Sequence, residues 1–383
     1  MQRLQKSLIA GITTDGLSWT KKMGALLMKF GYSFTPAADS CYDREQGYGY
    51  AAAAGGSKNE DLRDSWPGDY FAEGVPTLLM DVPNGNYRVT LQIGSADRSA
   101  VTTVREGLGR IKLLDMNTGA GELMTRTFAV HVDDGQLKLA FGGAAPAVQH
   151  VKVERAAGIP TLYLAGDSTV TDQPSGQFPY SGWGQMIGLY LNEGIAVANH
   201  ARSGKSAKTF IQESRLLRIA KKIGKGDFLL LQFAHNDEKE KEEGEGPFTT
   251  YQQYLKEHVE LARTAGAYPV LVAPMHRRFF EPDGSIRNTH GDYIEAMRQL
   301  AVREAVPFAD LAGLSKTYFE ELGEERTKDI FLWAEPGRYP NLPEGAQDNT
   351  HFSETGAIQI ARLVAEAILQ SGEQRLSRYV APL

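Results

Sequence analysis

The spacing of apolar residues along the chain changes near residue 157. From about residue 78 to 155, short apolar runs alternate with polar positions at a period of two. Asn84-Gly85 separates two such runs and is a strong hairpin signal because both residues tolerate positive φ, and Asp134-Gly135 predicts another turn. Many short strands with regular turns predict an antiparallel β-sandwich or jelly roll. We assign residues 30–77, rich in Gly, Tyr and Asp, to the same domain.

A different pattern begins after Gly158 and Pro160. Continuous apolar runs, typical of strands covered on both faces, alternate with segments in which apolar residues repeat every three and four positions, as in helices. The runs are 161–165, 195–198, 228–233, 268–273 and 306–311, and the helical repeats include 183–191, 293–301 and 358–368. Five strands alternating with helices predict a doubly wound parallel sheet, in which ligands bind beyond the carboxyl ends of the strands.

The first 27 residues fit neither pattern. Their apolar stretch, Leu8 to Ile12, is shorter than the roughly 7–15 residues of a secretory signal core, and no run approaches the roughly 20 residues of a membrane span. We interpret residues 1–27 as a leader or a non-native extension, 28–157 as the β-sandwich domain and 158–383 as the α/β domain. Without a recognisable signal peptide we expect a cytoplasmic protein that does not bind membranes, or a secreted one if the native N-terminus differs.

Composition excludes several classes of function. The 383 residues carry 41 Lys and Arg against 47 Asp and Glu, a net charge of -6, which lacks the basic footprint of a nucleic-acid binder. A single cysteine, Cys41, excludes an intramolecular disulfide. The charged run 237–245 is typical of a solvated loop.

Two polar motifs follow the first two predicted strands of the α/β domain. Gly166-Asp167-Ser168-Thr169 places a serine where a nucleophile is exposed, although a plain Gly/Asp turn explains the motif equally well. Val170 replaces the last glycine of the α/β-hydrolase elbow, so that motif is excluded. The second motif, residues 199–206, lacks the first glycine of a phosphate loop, but the backbone amide of Gly204 can approach an anion closely.

Two further motifs complete the set. Asn236, after the third strand, can donate to a developing oxyanion, or it can belong to a turn or a helix cap. Asp348 precedes His351 by three residues on the loop before the last helix, so its carboxylate can orient the imidazole for proton transfer from a serine. Helix capping and metal ligation are the alternatives, and the spacing of neighbouring ligands argues against a metal. Together the motifs supply a nucleophile, a base, a carboxylate and anion donors.

These motifs resemble those of the SGNH (GDSL-type) hydrolases, over residues 160–370. The segments that look like the rhamnogalacturonan acetylesterase-like branch are 167–170, 182–184, 203–206 and 348–352. The resemblance implies a flavodoxin-like domain with a five-stranded parallel sheet between helices, and no metal or organic cofactor. The preceding domain, with Val82 to Tyr87, is similar to a galactose-binding-like module.

The resemblance also implies residue roles. Ser168 would be the nucleophile and His351 the base, oriented by Asp348, and the oxyanion hole would consist of the Ser168 and Gly204 amides with the Asn236 side chain. Family members commonly have glycine where this chain has Ala234. Because alanine needs ordinary φ and ψ, we expect a slightly different turn that keeps Asn236 in the hole.

The function implied is a serine esterase that removes O-acetyl groups from plant cell-wall oligosaccharides, derived from rhamnogalacturonan or xylan, through an acetyl-serine. Substrate contacts are predicted for Arg202, Trp183, Arg277 and His290, although Trp183 fits a core position and the arginines fit solvated loops. Two alternatives stay open: a carbohydrate-binding protein with an inactive hydrolase-like domain, and a lipase or thioesterase of the same superfamily.

Overall fold

The computed structural model describes the backbone of residues 32–34 and all atoms of residues 41–51 and 75–383. The predicted leader, residues 1–27, lies outside this part of the chain, as does most of 30–77. The described N-terminal strands are β1 (Tyr32–Phe34), β2 (Tyr48–Tyr50), β3 (Thr77–Asp81), β4 (Gly85–Ile93), β5 (Ala100–Glu106), β6 (Arg110–Thr118), β7 (Met124–Val132), β8 (Gln136–Ala145) and β9 (Val148–Arg155).

These strands form two antiparallel sheets around an apolar core, as predicted. One sheet has the order β1-β9-β4-β7 and the other β2-β3-β8-β5-β6. Along β4, Tyr87, Val89, Leu91 and Ile93 are all fully buried and alternate with more exposed residues, which confirms the period of two.

Asn84-Gly85 does not form the predicted hairpin, whereas Asp134-Gly135 forms the predicted turn, between β7 and β8. β3 and β4, which flank Asn84-Gly85, lie in different sheets, and so do β7 and β8, which flank Asp134-Gly135. The two turns bind each other: Asn84 Nδ2 donates to the Asp133 carbonyl at 3.1 Å, and the Gly135 amide donates to Asn84 Oδ1 at 2.8 Å. Both turns therefore cross between the sheets at one end of the sandwich.

The second part of the chain contains a parallel sheet of five strands in the order β12-β10-β13-β14-β15. Its strands are β10 (Thr161–Gly166), β12 (Ala196–Asn199), β13 (Phe228–Gln232), β14 (Tyr268–Val272) and β15 (Phe308–Ala309), close to the five predicted runs. All six residues of β10 are buried because helices and loops cover both faces. This order is the flavodoxin-like one, in which ligands bind near the first strand, where the order reverses.

Helices pack on both faces of this sheet. They are α1 (Ala207–Gln212), α2 (Arg215–Ala220), α3 (Gln252–Thr264), α4 (Tyr293–Glu304), α5 (Leu311–Arg326), α6 (Glu354–Gln370) and α7 (Gln374–Ser377). Ser353 caps α6, as its Oγ accepts from the Gly356 amide at 3.0 Å. Among the described residues, no helix has the length and apolar character needed to cross a membrane.

The α-helix predicted over 183–191 is wrong. The segment forms two short 3-10 helices, Trp183–Gln185 and Ile187–Tyr190. Gly184 lies so close to the loop after β10 that a Cβ there would come within 2.3 Å of the Val170 carbonyl oxygen. Tight packing and glycines with low helix propensity thus override the apolar repeat.

Candidate active site

Ser168 lies in the loop that follows β10. Asp167 folds this loop: its Oδ1 accepts from the Thr169 amide and hydroxyl, both at 2.9 Å. Gly166 allows the sharp turn, because a Cβ there would meet Val170 Cγ2 at 2.6 Å and the Gln232 carbonyl at 2.7 Å. The Ser168 side chain therefore projects from the carboxyl end of the first strand, although the residue is only 7% exposed.

His351 reaches Ser168 from a small antiparallel sheet. This sheet has the order β11-β17-β16, with β11 (Tyr180–Ser181), β16 (Phe331–Ala334) and β17 (Ala346–Ser353). The sequence predicted that Asp348 and His351 lie on a loop, but both residues lie within β17. The pairing of β16 with β17 jumps from Phe331–Phe352 to Trp333–Gln347, so β17 contains an irregular bulge over these residues.

The bulge brings three side chains into one hydrogen-bonded series. Ser168 Oγ lies 2.9 Å from His351 Nε2, and His351 Nδ1 lies 2.7 Å from Asp348 Oδ2. Asp348 Oδ1 accepts from the amides of Thr350 at 2.7 Å and His351 at 2.9 Å, which fixes the carboxylate in the bulge. This is the geometry in which an imidazole removes a proton from a serine while a carboxylate holds its tautomer.

The surroundings of Asp348 keep it ionised. Burial raises the pKa of its carboxyl, but the hydrogen bond and charge of His351 and the two backbone N–H groups outweigh burial and lower the pKa to about 2. A negative charge therefore faces His351 at neutral pH, where it would stabilise an imidazolium.

Backbone amides beside Ser168 are free to bind an anion. The amides of Ser168 and Gly204 have no acceptor among the residues that the structure describes. Gly204 has φ +78, and the space beside its Cα is open. Gln173 joins the two loops, as its Nε2 donates to the Ser168 carbonyl at 3.0 Å and to Ser203 Oγ at 3.2 Å.

Asn236 lies beside the same loop. Its Nδ2 donates to the Lys205 carbonyl at 3.1 Å, which leaves the second N–H of the amide for another acceptor. Lys239 Nζ donates to Asn236 Oδ1 at 3.0 Å and orients the group. The predicted oxyanion donors thus lie on adjoining loops.

Ala234 does not adopt ordinary backbone angles, which corrects the sequence expectation. Its φ is +149, a conformation that glycine adopts at little cost, and the residue is fully buried. The backbone before Asn236 therefore takes a shape suited to glycine despite the substitution. Strain of this kind is found where a functional residue must be held in place.

Two predicted substrate contacts are wrong. Trp183 is 1% exposed and donates through Nε1 to Gln232 Oε1 at 2.7 Å, so it is a core residue. His290 is also 1% exposed and lies 2.9 Å from Glu238 Oε2 and 3.0 Å from the Met275 carbonyl. Neither ring is accessible to a sugar.

The two predicted arginines differ in their surroundings. Arg277 is buried, donates to Thr289 Oγ1 at 3.0 Å and pairs with Glu238, so its guanidinium is already engaged inside the protein. Arg202 is exposed and remains a predicted substrate contact. The pairing of Glu238 and the burial of Asp237 also show that the charged run 237–245 is not simply a solvated loop.

Aromatic residues beside His351 were missed from the sequence. The Tyr180 ring lies edge-on to the His351 ring at 4.9 Å, and its hydroxyl lies 3.5 Å from the Ser168 carbonyl. Two residues earlier, Phe178 is 46% exposed and packs edge-on against Tyr339 at 5.7 Å. We call Phe178 and Tyr339 the aromatic rim. The aromatic residues around Pro179, just after the Ser168 motif, were the signal that could have indicated it.

The described residues contain no group of three or more His, Cys, Asp and Glu side chains arranged to hold a metal ion. Cys41 is exposed and lies next to β2, in the N-terminal part of the chain.

Known proteins share both the motifs and the architecture. The chain is 46% identical over 211 residues to the rhamnogalacturonan acetylesterase RhgT of Bacillus subtilis, covering 55% of this chain and 90% of RhgT. It is 29% identical over 373 residues to the uncharacterized esterase YxiM of the same organism, covering 91% of this chain and 90% of YxiM. The crystal structure of YxiM matches with a TM-score of 0.51 at 26% identity, over 90% of this chain and 99% of that chain.

The sequence profile of the GDSL-like Lipase/Acylhydrolase family matches residues 164–357, which include Ser168, Gly204, Asn236, Asp348 and His351. The parallel sheet, the strand-end loops and the motif order agree with this match. The chain belongs to the GDSL-like Lipase/Acylhydrolase family.

Proposed function

We propose that the protein is a serine esterase that removes O-acetyl groups from plant cell-wall oligosaccharides derived from rhamnogalacturonan or xylan. The observation that carries this proposal is the series Ser168–His351–Asp348, with distances of 2.9 and 2.7 Å, beside two unpaired backbone amides. An inactive carbohydrate-binding domain has no need to hold these three side chains within hydrogen-bond distance of one another. We also propose that residues 28–157 form a β-sandwich domain and residues 158–383 the catalytic domain, which the described strands β1–β9 and the parallel sheet support.

The proposed chemistry follows from the positions of the groups. Ser168 Oγ attacks the acetyl carbonyl while His351 Nε2 takes its proton. The Ser168 and Gly204 amides and the Asn236 side chain bind the oxyanion, and the sugar hydroxyl leaves with the proton from His351. Water then attacks the acetyl-serine with the same base, which releases acetate and restores Ser168.

Two observations support a sugar substrate. The 46% identical relative RhgT is named a rhamnogalacturonan acetylesterase. The aromatic rim offers the exposed Phe178 ring two residues before Tyr180, which contacts His351, and an exposed aromatic face can pack against the apolar face of a sugar ring. The galactose-binding-like character of the β-sandwich stays a prediction.

Acetate release from acetylated rhamnogalacturonan, xylan and pectin fragments tests the function. We expect release by the wild type, and a loss of kcat on the order of 10⁶-fold in Ser168→Ala with an unchanged thermal unfolding midpoint. Ser377→Ala is the matched control, since α7 follows the far end of the 17-residue helix α6. No labelling of Ser168 by a fluorophosphonate, or faster hydrolysis of octanoyl than acetyl nitrophenyl esters, contradicts the proposal.

A further inference from the structure

The hairpin of β5 and β6 in the N-terminal part contacts the α/β part of the chain directly. We call residues 100–118 the support hairpin. Ile111 on its second strand is fully buried in the core of the α/β part, together with Val170 and Trp183. Lys112 packs against the Ile187–Tyr190 helix, where a Cβ on Gly188 would lie 3.1 Å from the Lys112 Nζ. The hairpin therefore lies directly against the segments that pack on the Ser168 loop.

A first series of contacts runs from Arg110 to the loop after β10 and to strand β12. Arg110 Nε lies 2.8 Å from Glu106 Oε1 and 3.7 Å from Asp172 Oδ2. Its Nη1 donates to the carbonyl of Val197 in β12 at 3.2 Å. Glu106, Arg110 and Asp172 have side chains only 3%, 14% and 10% exposed. Charges this well buried interact strongly with their partners and cannot rearrange without cost.

Asp172 connects Arg110 to Asn199. Asp172 Oδ1 accepts from Asn199 Nδ2 at 2.7 Å, and the same Nδ2 donates to the Val170 carbonyl at 2.7 Å. Asn199 Oδ1 accepts from the Ala201 amide at 3.1 Å. Asn199 thus holds the loop of Ser168 and the loop that leads to Gly204 together.

A second series starts at the turn of the support hairpin. Gln185 Nε2 donates to the Leu108 carbonyl and to the Gln173 carbonyl, both at 3.0 Å. Gln173 in turn donates to the Ser168 carbonyl and to Ser203 Oγ. Both series therefore end on the same two loops, those that carry the Ser168 and Gly204 amides.

We propose that the support hairpin is a positioning element of the esterase site, and that Arg110 is the residue through which it fixes the spacing of the Ser168 and Gly204 amides. This inference rests on the proposed function. Misplacement of catalytic groups by about 1 Å can cost about 10²-fold in rate even when the change lies outside the site.

Steady-state kinetics of three variants of the full chain test the inference. Arg110→Gln is compared with Arg88→Gln, the same change at an exposed residue whose Nε also crosses to the α/β part, donating to the Glu193 carbonyl at 3.2 Å away from both loops. The third variant, Arg110→Gln with Asp172→Asn, removes one positive and one negative charge and so avoids leaving Asp172 unpaired. Each is assayed with nitrophenyl acetate, and thermal unfolding is recorded in parallel.

We expect Arg110→Gln to lower kcat about 10- to 100-fold with little change in KM, because the amides bind the transition state more than the ester. The double variant should recover thermal stability and keep the low kcat, whereas Arg88→Gln should keep the wild-type kcat. If the wild type is active, equal kcat in Arg110→Gln and Arg88→Gln overturns the role of Arg110 and leaves the proposed function standing. A double variant with wild-type kcat has the same consequence. A wild type without esterase activity overturns the proposed function and this role with it.

Discussion

Asp348 accepts hydrogen bonds from a side chain and from two backbone amides, and these contacts define its expected contribution. Asp348→Asn keeps the size of the side chain but removes the charge that stabilises the imidazolium and presents an amide that favours the wrong tautomer. We expect kcat for acetyl esters to fall by about 10⁴-fold, against about 10⁶-fold for His351→Ala, which removes the proposed base itself. Equal losses in the two variants contradict the division of roles.

Because the pKa of Asp348 is lowered to about 2, its own ionisation should not affect kcat above about pH 3.

The unusual backbone at Ala234 gives a second prediction at the scale of one residue. Ala234→Gly relieves the strain of φ +149 but increases the freedom of the unfolded chain. Since the strain is the larger of the two, we expect the free energy of unfolding to rise by about 1 kcal/mol in urea titrations. The control, Ala309→Gly in buried β15, lacks positive φ and should lower this free energy. A loss of stability in Ala234→Gly of the size seen in Ala309→Gly shows that no strain is stored there.

At the scale of elements, the parallel strands could be predicted because both faces of each are covered. Phe228 to Gln232 is entirely buried, and a continuous apolar run of that length is readable in the sequence. β17 could not be predicted as a strand: most of its residues are partly exposed and it contains an irregular bulge, so it has no period. The chemistry of its Asp348 and His351 was still readable from their spacing.

Contacts between distant elements explain the other differences. The residues of Asn84-Gly85 predict a turn correctly, but no local signal says that the next strand joins the other sheet. Likewise, Trp183 and His290 have residue types that suit sugar binding, and only the tertiary fold shows that both are buried. Ser168, Gly204 and Asn236 could be predicted to lie together because each follows a strand of the parallel sheet, where the strand-end loops meet.

Helix α3 carries a titratable group whose effect on stability has a definite sign. His258 is fully buried against the rings of Phe210 and Phe233, with centroid distances of 5.7 and 5.3 Å, and its Nδ1 lies 2.7 Å from the Tyr254 carbonyl. Its Nε2 has no partner among the described residues, so protonation would bury an unpaired charge. Burial lowers the pKa of His258 from 6.5 to about 4, although the hydrogen bond to Tyr254 opposes this.

The pH dependence of stability follows from this lowered pKa. Between about pH 6.5 and 4 the unfolded state binds a proton at His258 that the folded state does not, so the stabilisation is lost as the pH falls through this window. At pH 5 the loss relative to pH 7 is about 2 kcal/mol. Urea unfolding at both pH values should show that His258→Leu loses about 2 kcal/mol less than the wild type on acidification. Equal losses in both proteins would falsify the neutral, buried state of His258.

At the scale of the whole molecule, the support hairpin makes the two parts of the chain interdependent. Its strands pair within the β-sandwich, where Val104 of β5 is fully buried, while Ile111 of β6 is fully buried in the other core. The pair Arg105–Glu354, at 2.7 Å, adds a link to the first turn of α6, just after His351. Loss of either core would therefore expose apolar surface belonging to the other.

This arrangement predicts that the protein unfolds in one cooperative transition. Ile111→Ala leaves a cavity in the α/β core, and we expect a loss of about 2–5 kcal/mol in the free energy of unfolding, with the single calorimetric transition shifted as a whole. Leu139→Ala, a buried position in the β-sandwich core, should shift the same transition to a similar extent. The test is scanning calorimetry of the full chain with activity followed during heating. Two separate transitions, with each variant moving only one of them, would show that the cores are independent and that the hairpin merely touches the second. A single transition moved by both substitutions means that the loop of Ser168 unfolds together with the β-sandwich.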